Sequence, residues 1–200
     1  MSRTLSQQDL SRFQAELCDV AEVMFAENGA ENVSMRQIAA AMGISPMTPY
    51  RYFANRDEIL AAVRIRGFDR FTRELQQAHA AANGSVQEQA MAAGRAYIAF
   101  GLRNANTYTL MFAHRQRDDE SDSPLGQAVA RARKTLSFYG DSLIQRGMPM
   151  ADARAMEALI WSTLHGAVMH ELTGVLPAGS ALETLQMLGR MTLAAPSRSL

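Results

Sequence analysis

Apolar residues along this chain recur every three or four positions, and no segment alternates with period two for long enough to form a sheet, so the chain reads as all-α. Leu10, Phe13, Leu17, Val20, Ala21 and Met24 fall on one face of a first helix, with Cys18 and Phe25 flanking the stripe and Asn28-Gly29 ending it as a left-handed C-cap. Ser34 opens a second helix. Gln37, three positions on, is its reciprocal capping partner, and Ile38, Ala39 and Met42 face inward. Gly43-Ile44-Ser45 makes a tight turn, after which Ser45 caps a short third helix with Pro46 at its first position, running to about Phe53. Asn55 and Glu58 cap a long fourth helix whose Leu60, Val63, Gly67, Phe71 and Leu75 form one stripe up to a stop at Asn83-Gly84-Ser85. Further helices are predicted over 86–103, 107–115, 125–146, 150–173 and 180–193. The acidic stretch from Asp118 to Ser123 reads as a mobile surface loop, and the tail from Pro196 to Leu200 should fray.

Composition narrows the class. With 48% hydrophobic residues and 20 basic against 20 acidic side chains, the 200-residue chain can bury a core and carries no global charge excess. Its single cysteine, Cys18, excludes an internal disulfide, and the residues before Gln8 lack the apolar segment of a secretory signal, so a cytoplasmic location is expected. No apolar run approaches the roughly 20 residues that span a bilayer, so no membrane partner is expected. His165 and His170 are five apart and turn to different faces, which argues against a metal site. No Gly-rich phosphate loop or nucleophile elbow is present, so neither a cofactor nor enzymatic activity is expected.

Charge is neutral overall but unevenly placed. Between Ser34 and Arg73 stand seven arginines against three acids, and this stretch contains two short helices joined by a Gly turn. That arrangement is a helix-turn-helix, whose second helix enters a major groove, and the arginine fork pairs with phosphate or with guanine O6/N7. Arg64, Arg66, Arg70 and Arg73 lie on the long helix and read instead as a solvated face. Ile38 and Phe53 read as core.

From Ser34 to Ile59 the run SMRQIAAAMGISPMTPYRYFANRDEI resembles, without gaps, the N-terminal pattern of the TetR family of transcriptional repressors. The resemblance implies a DNA-binding domain over residues 1–55 and an α-helical regulatory and dimerisation domain over 56–200. It implies phosphate contacts from Ser34, Thr48, Tyr50, Tyr52 and Arg56, and base contacts from Arg36, Met47 and Arg51, with Gln37 and Ser45 also in the DNA-binding set. Hydroxyls and helix N-termini that position, and arginines that specify, are the chemistry such a division needs. Two positions depart from the pattern. Pro49 stands for the usual Leu, deletes one helical hydrogen bond and disfavours helical geometry at Thr48, so the third helix is expected to start irregularly; Met47 stands for the usual Gly and presents an apolar side chain suited to a thymine methyl.

In the C-terminal half, Trp161-Ser162-Thr163-Leu164-His165-Gly166 is similar to the W-x-x-x-H-G signature of one TetR regulatory domain. Tyr97, Phe100, Tyr108, Phe112, Trp161 and Met169 could line an apolar pocket with His165 as a polar anchor, or simply fill the core. The expectation is therefore a homodimeric repressor that binds a palindromic double-stranded operator and is released by a small apolar effector. Its dimer seam is expected on the last two helices, along Met156, Leu159, Ile160, Thr163 and Ala167 and along Leu182, Leu185, Leu188 and Gly189, although the same stripes would serve an intramolecular core. The competing expectation is an α-helical small-molecule binding protein without sequence-specific DNA binding.

Overall fold

The computed structural model describes residues 7–113 and 122–193, and the elements in these stretches are helical. In order they are α1 (Gln7–Asn28), α2 (Met35–Ala41), α3 (Arg56–Ala81), α4 (Val86–Arg103), α5 (Ala105–Ala113), α6 (Pro124–Lys134), α7 (Ser137–Gln145), α8 (Met150–Leu172) and α9 (Ser180–Leu193). Two 3-10 turns, Ala30–Asn32 and Pro49–Arg51, flank α2. The fraying tail and all but the last two residues of the acidic loop lie outside the described residues. No helix among the described residues is long and apolar enough to cross a membrane.

The chain divides into two compact units, Met1–Phe68 with Asn106–Gln127, and Asp69–Ala105 with Ala128–Leu200. The division therefore falls inside α3 rather than at residue 55, and α5 belongs with the N-terminal helices.

In the first unit, Leu17, Cys18, Ala21 and Phe25 of α1 pack with Met35 and Ile38 of α2, Ile59, Leu60 and Val63 of α3, and Leu110 of α5. The side chains that flank the α1 stripe, Cys18 and Phe25, are its most deeply buried members together with Leu17 and Ala21. Each fully buried Leu, Ile or Phe here contributes about 1.5–3 kcal/mol. Gly67 allows α5 to approach α3 closely: a Cβ there would stand 2.8 Å from Met111 Cγ.

In the second unit, α4, α7, α8 and α9 pack on one another. Phe71 is its aromatic centre, with Tyr97, Phe100 and Trp161 meeting it edge to face at 4.9, 5.3 and 6.0 Å. Gly94 lets Leu185 press against α4, since a Cβ there would stand 2.6 Å from Leu185 Cδ1. The Glu171 carboxylate accepts from the N–H groups of Gly179 and Ala181 and so satisfies donors at the start of α9.

Two expected helices are not continuous. The stretch predicted over 125–146 breaks at Thr135-Leu136, where both N–H groups bond three residues back and the Thr135 and Ser137 hydroxyls donate to the carbonyls of Ala132 and Lys134. Local hydroxyl bonding of this kind competes with helix propagation. The helix expected from Pro46 to Phe53 shrinks to the 3-10 turn Pro49–Arg51. Ser45 does receive a capping contact from the Met47 N–H, at 3.4 Å, but Pro49 has no N–H to return to the Ser45 carbonyl. The Thr48 N–H takes that carbonyl instead, at 2.9 Å, and three-residue bonds follow at Arg51 and Tyr52. Thr48 itself keeps helical angles, φ −64 and ψ −45, so the constraint from the following proline is not what shortens the element.

Candidate functional site

The helix-turn-helix is built from local hydrogen bonds. Ser34 Oγ accepts from the Gln37 N–H while Gln37 Oε1 accepts from the Ser34 N–H, so the capping box expected from spacing is present on both sides. At the other end of α2 the N–H groups of Gly43 and Ile44 bond the carbonyls of Ala40 and Ala39, which is the Schellman geometry. Gly43 holds φ +66 there, a conformation that other residues adopt only with strain. The turn thus ends α2 sharply and leaves Ser45, Met47, Tyr50 and Arg51 exposed on the segment beyond it.

Among the residues expected to meet DNA, Ser34, Arg36 and Gln37 on α2 and Ser45, Met47, Tyr50 and Arg51 after the turn are all exposed, Met47 at 69% and Tyr50 at 47%. Gln37 commits its side-chain oxygen to the capping box and keeps its amide N–H groups. Thr48 and Tyr52 are half-buried, and the Tyr52 ring stacks on Phe13 of α1 at 4.5 Å, which steadies the turn against the first helix.

Arg56 is engaged within the protein. Its Nη1 donates to the carbonyls of Ala30 at 3.0 Å and Glu31 at 3.2 Å, and its Nε and Nη2 pair with Asp57. Of the arginines read as a solvated face further along α3, Arg73 is exposed as expected, Arg66 and Arg70 are half-buried, and Arg64 is buried. Arg64 is buried and donates to the Met111 carbonyl near the C-terminal end of α5. Arg66 bonds the Ala15 carbonyl at 2.9 Å and Asp19 at 2.6 Å. Burial pushes the Cys18 thiol up from its ordinary value and outweighs the opposing pull of the Arg66 guanidinium. Beside them Thr107 of α5 donates to the Glu22 carboxylate of α1. Sequence reasoning missed this polar seam between α1, α3 and α5. A signal was there in Arg64, which sits one turn from Leu60 and one from Phe68 on an otherwise apolar row.

The residues expected around an effector divide between the units. Tyr108 and Phe112 belong to the first, where Phe112 meets Phe68 edge to face at 5.4 Å. Tyr97, Phe100 and Trp161 belong to the second, where they close around Phe71. Tyr97 and Phe100 are fully buried, whereas Trp161, His165 and Met169 of α8 are half-buried. Burial holds the His165 pKa below its ordinary value, which keeps the ring neutral near pH 7. In this unit a cavity of about 430 Å³ lies between the end of α6, α7 and α8 and takes Trp161 as one wall. A second, apolar crevice between α4, α7, α8 and α9 holds only about 50 Å³.

On α8 and α9 the exposed apolar residues are Leu159, Leu182, Met187 and Met191, joined by Met150 at the start of α8. From the expected seam, Leu159 and Leu182 face outward, whereas Ala167 and Leu185 are buried within the unit.

Residues 17–63 match the family model described as bacterial regulatory proteins, tetR family, and residues 90–193 match that of the tetracyclin repressor-like C-terminal domain. Among curated proteins, the HTH-type transcriptional regulator BetI of Brucella suis is 24% identical over 147 residues, covering 72% of this chain and 74% of its own. Among solved structures, the transcriptional regulator FadR of Bacillus subtilis in complex with stearoyl-CoA superposes with a TM-score of 0.75 at 17% identity, over 91% of this chain and 98% of the other. AibR in complex with isovaleryl coenzyme A and operator DNA gives 0.65 at 18% identity, over 89% and 96%.

Proposed function

Since this chain belongs to the TetR family of bacterial regulatory proteins, we propose that it is a sequence-specific transcriptional regulator, a repressor that leaves its operator when a small molecule binds among the helices of the second unit. The observation that carries the DNA-binding half is the exposed set Arg36, Met47, Tyr50 and Arg51, held on either side of a capped helix and its Schellman turn. Arg36 and Arg51, exposed and without a side-chain partner among the described residues, present their forks to base edges, Met47 an apolar tip to a thymine methyl, and Ser34, Thr48, Tyr50 and Tyr52 their hydroxyls to phosphates. The protein acts by binding alone, in the cytoplasm where its DNA lies.

One such turn reads too few base pairs to discriminate a site, so the active species is a homodimer on a palindrome. Its seam is the outward face of Leu159, Leu182, Met187 and Met191, which are exposed among the described residues. Leu182→Glu with Met187→Glu is expected to give a folded monomer in sedimentation that loses operator binding; a variant that stays dimeric places the seam elsewhere.

The short 3-10 turn at Pro49–Arg51 is the one observation that favours the competing reading, a small-molecule binding protein without sequence-specific DNA binding. A salt titration decides between them. A duplex enriched from a random library should bind at least about 10³-fold more tightly than random DNA at physiological salt, with both affinities falling steeply as salt rises. If no enriched sequence separates from random DNA, the regulator reading fails.

A further inference from the structure

The cavity of about 430 Å³ has the size of a small-molecule site and an unusual charge distribution. Trp161 and Leu136 supply its apolar surface, with Ala158 at the wall, and Arg133, Lys134 and Arg154 supply three cations against two acids, Asp141 and Glu157. Both acids are spent on one of these cations: Arg154 reaches Asp141 at 2.9 Å and Glu157 at 2.5 Å. Glu157 is further confined, because its carboxylate lies where Gly140 has no side chain. Arg133 and Lys134, exposed in the last turn of α6, have no side-chain hydrogen bond or ion pair among the described residues. Two cations without a partner among the described residues therefore stand at the edge of a concavity whose five charged side chains sum to +1, its two acids sharing the single charge of Arg154.

We propose that this cavity binds a small amphipathic anion, its carboxylate, sulfonate or phosphate group against Arg133 and Lys134 and its planar apolar body against Trp161 and Leu136. The inference rests on the reading of the C-terminal helices as the effector domain and sharpens the ligand from apolar to anionic and amphipathic. A guanidinium fork and an ammonium are the groups that hold such an anion. An indole face favours a flat apolar partner over a flexible one. Trp161 also meets Tyr97 at 5.6 Å and Phe71 at 6.0 Å, so an occupant of the cavity touches a member of the aromatic centre of the unit.

A matched pair of probes tests the charge requirement. Both 8-anilinonaphthalene-1-sulfonate and N-phenyl-1-naphthylamine carry the same rings, but only the first is an anion, and the second is the more hydrophobic. Titrated against the full chain, the sulfonate should quench the fluorescence of Trp161, the single tryptophan, and bind at least about tenfold more tightly than the neutral amine. Arg133→Gln with Lys134→Gln should remove that preference and leave the amine unchanged. Ala158→Leu, which fills the cavity without touching a charge, should weaken both probes. Equal or tighter binding of the neutral probe, or sulfonate affinity that survives the double substitution, overturns the inference. Operator affinity measured with and without the sulfonate separates the two levels. A probe that binds as described yet leaves DNA binding untouched defeats the effector reading and leaves the anion site standing.

Discussion

Arg36 and Arg51 stand in solvent beside the turn of the helix-turn-helix, whereas Arg56, Arg64 and Arg66, on the first half of α3, are turned inward and occupied by carbonyls and acids of the same unit. The residue type is the same and the positions lie within thirty residues, yet one group is available to DNA and the other holds helices together. The difference comes from what each helix face meets. The outer face of α2 and a short turn offer arginine only water, while α3 runs beside the carbonyls of Ala30, Ala15 and Met111, which accept from its guanidinium groups. A local count of cations measures how much positive charge a region holds and says nothing about which way it faces.

Substitution can break this contrast. The largest effect is expected at the buried end: Arg64→Ala strips the Met111 carbonyl of its donor and should cost about 3 kcal/mol of stability in denaturant unfolding. Arg36→Ala and Arg51→Ala should leave unfolding unchanged and each weaken operator binding by about 1–3 kcal/mol, relaxing preference at one base pair per half-site. Arg56→Ala is the sharpest discriminator, because the family resemblance assigns it a phosphate and the structure gives it the Ala30 and Glu31 carbonyls. It is expected to cost about 1 kcal/mol of stability and leave the salt slope of DNA binding as it was; a slope lower by about one would move it into the DNA-facing group. Smallest is a pH effect in the second unit. Because His165 is held neutral by burial, its unfolded form binds a proton first, so stability should fall as pH drops below about 6.5 toward the depressed folded value, and His165→Gln should flatten that fall.

Much of this arrangement was legible before any coordinates. The capping box at Ser34, the apolar stripe of α3 and the spans of α4, α8 and α9 follow from local bonding and periodicity, which act over a few residues and leave their mark in spacing. What periodicity could not carry was long-range. That α5 packs with α1, through Thr107 and Glu22, depends on a partner 85 residues away. The break at Thr135 and the shrunken turn at Pro49 depend on which hydroxyl or missing N–H wins a local competition. The effector region shows the same limit. Aromatic content marked Tyr97, Phe100 and Trp161, but composition alone does not distinguish a closed aromatic centre from a lined cavity, and only Trp161 reaches both.

The claim that Arg36 and Arg51 carry sequence information while Arg56, Arg64 and Arg66 carry the fold is tested most directly by selecting bound duplexes from a random library. Wild type, Arg36→Ala and Arg56→Ala are compared under the same salt. The account predicts a palindrome for the wild type, the same palindrome for Arg56→Ala, and for Arg36→Ala a palindrome with one position in each half-site gone blank. It is contradicted if the wild type enriches no symmetric sequence, or if Arg56→Ala erases the position that Arg36→Ala erases.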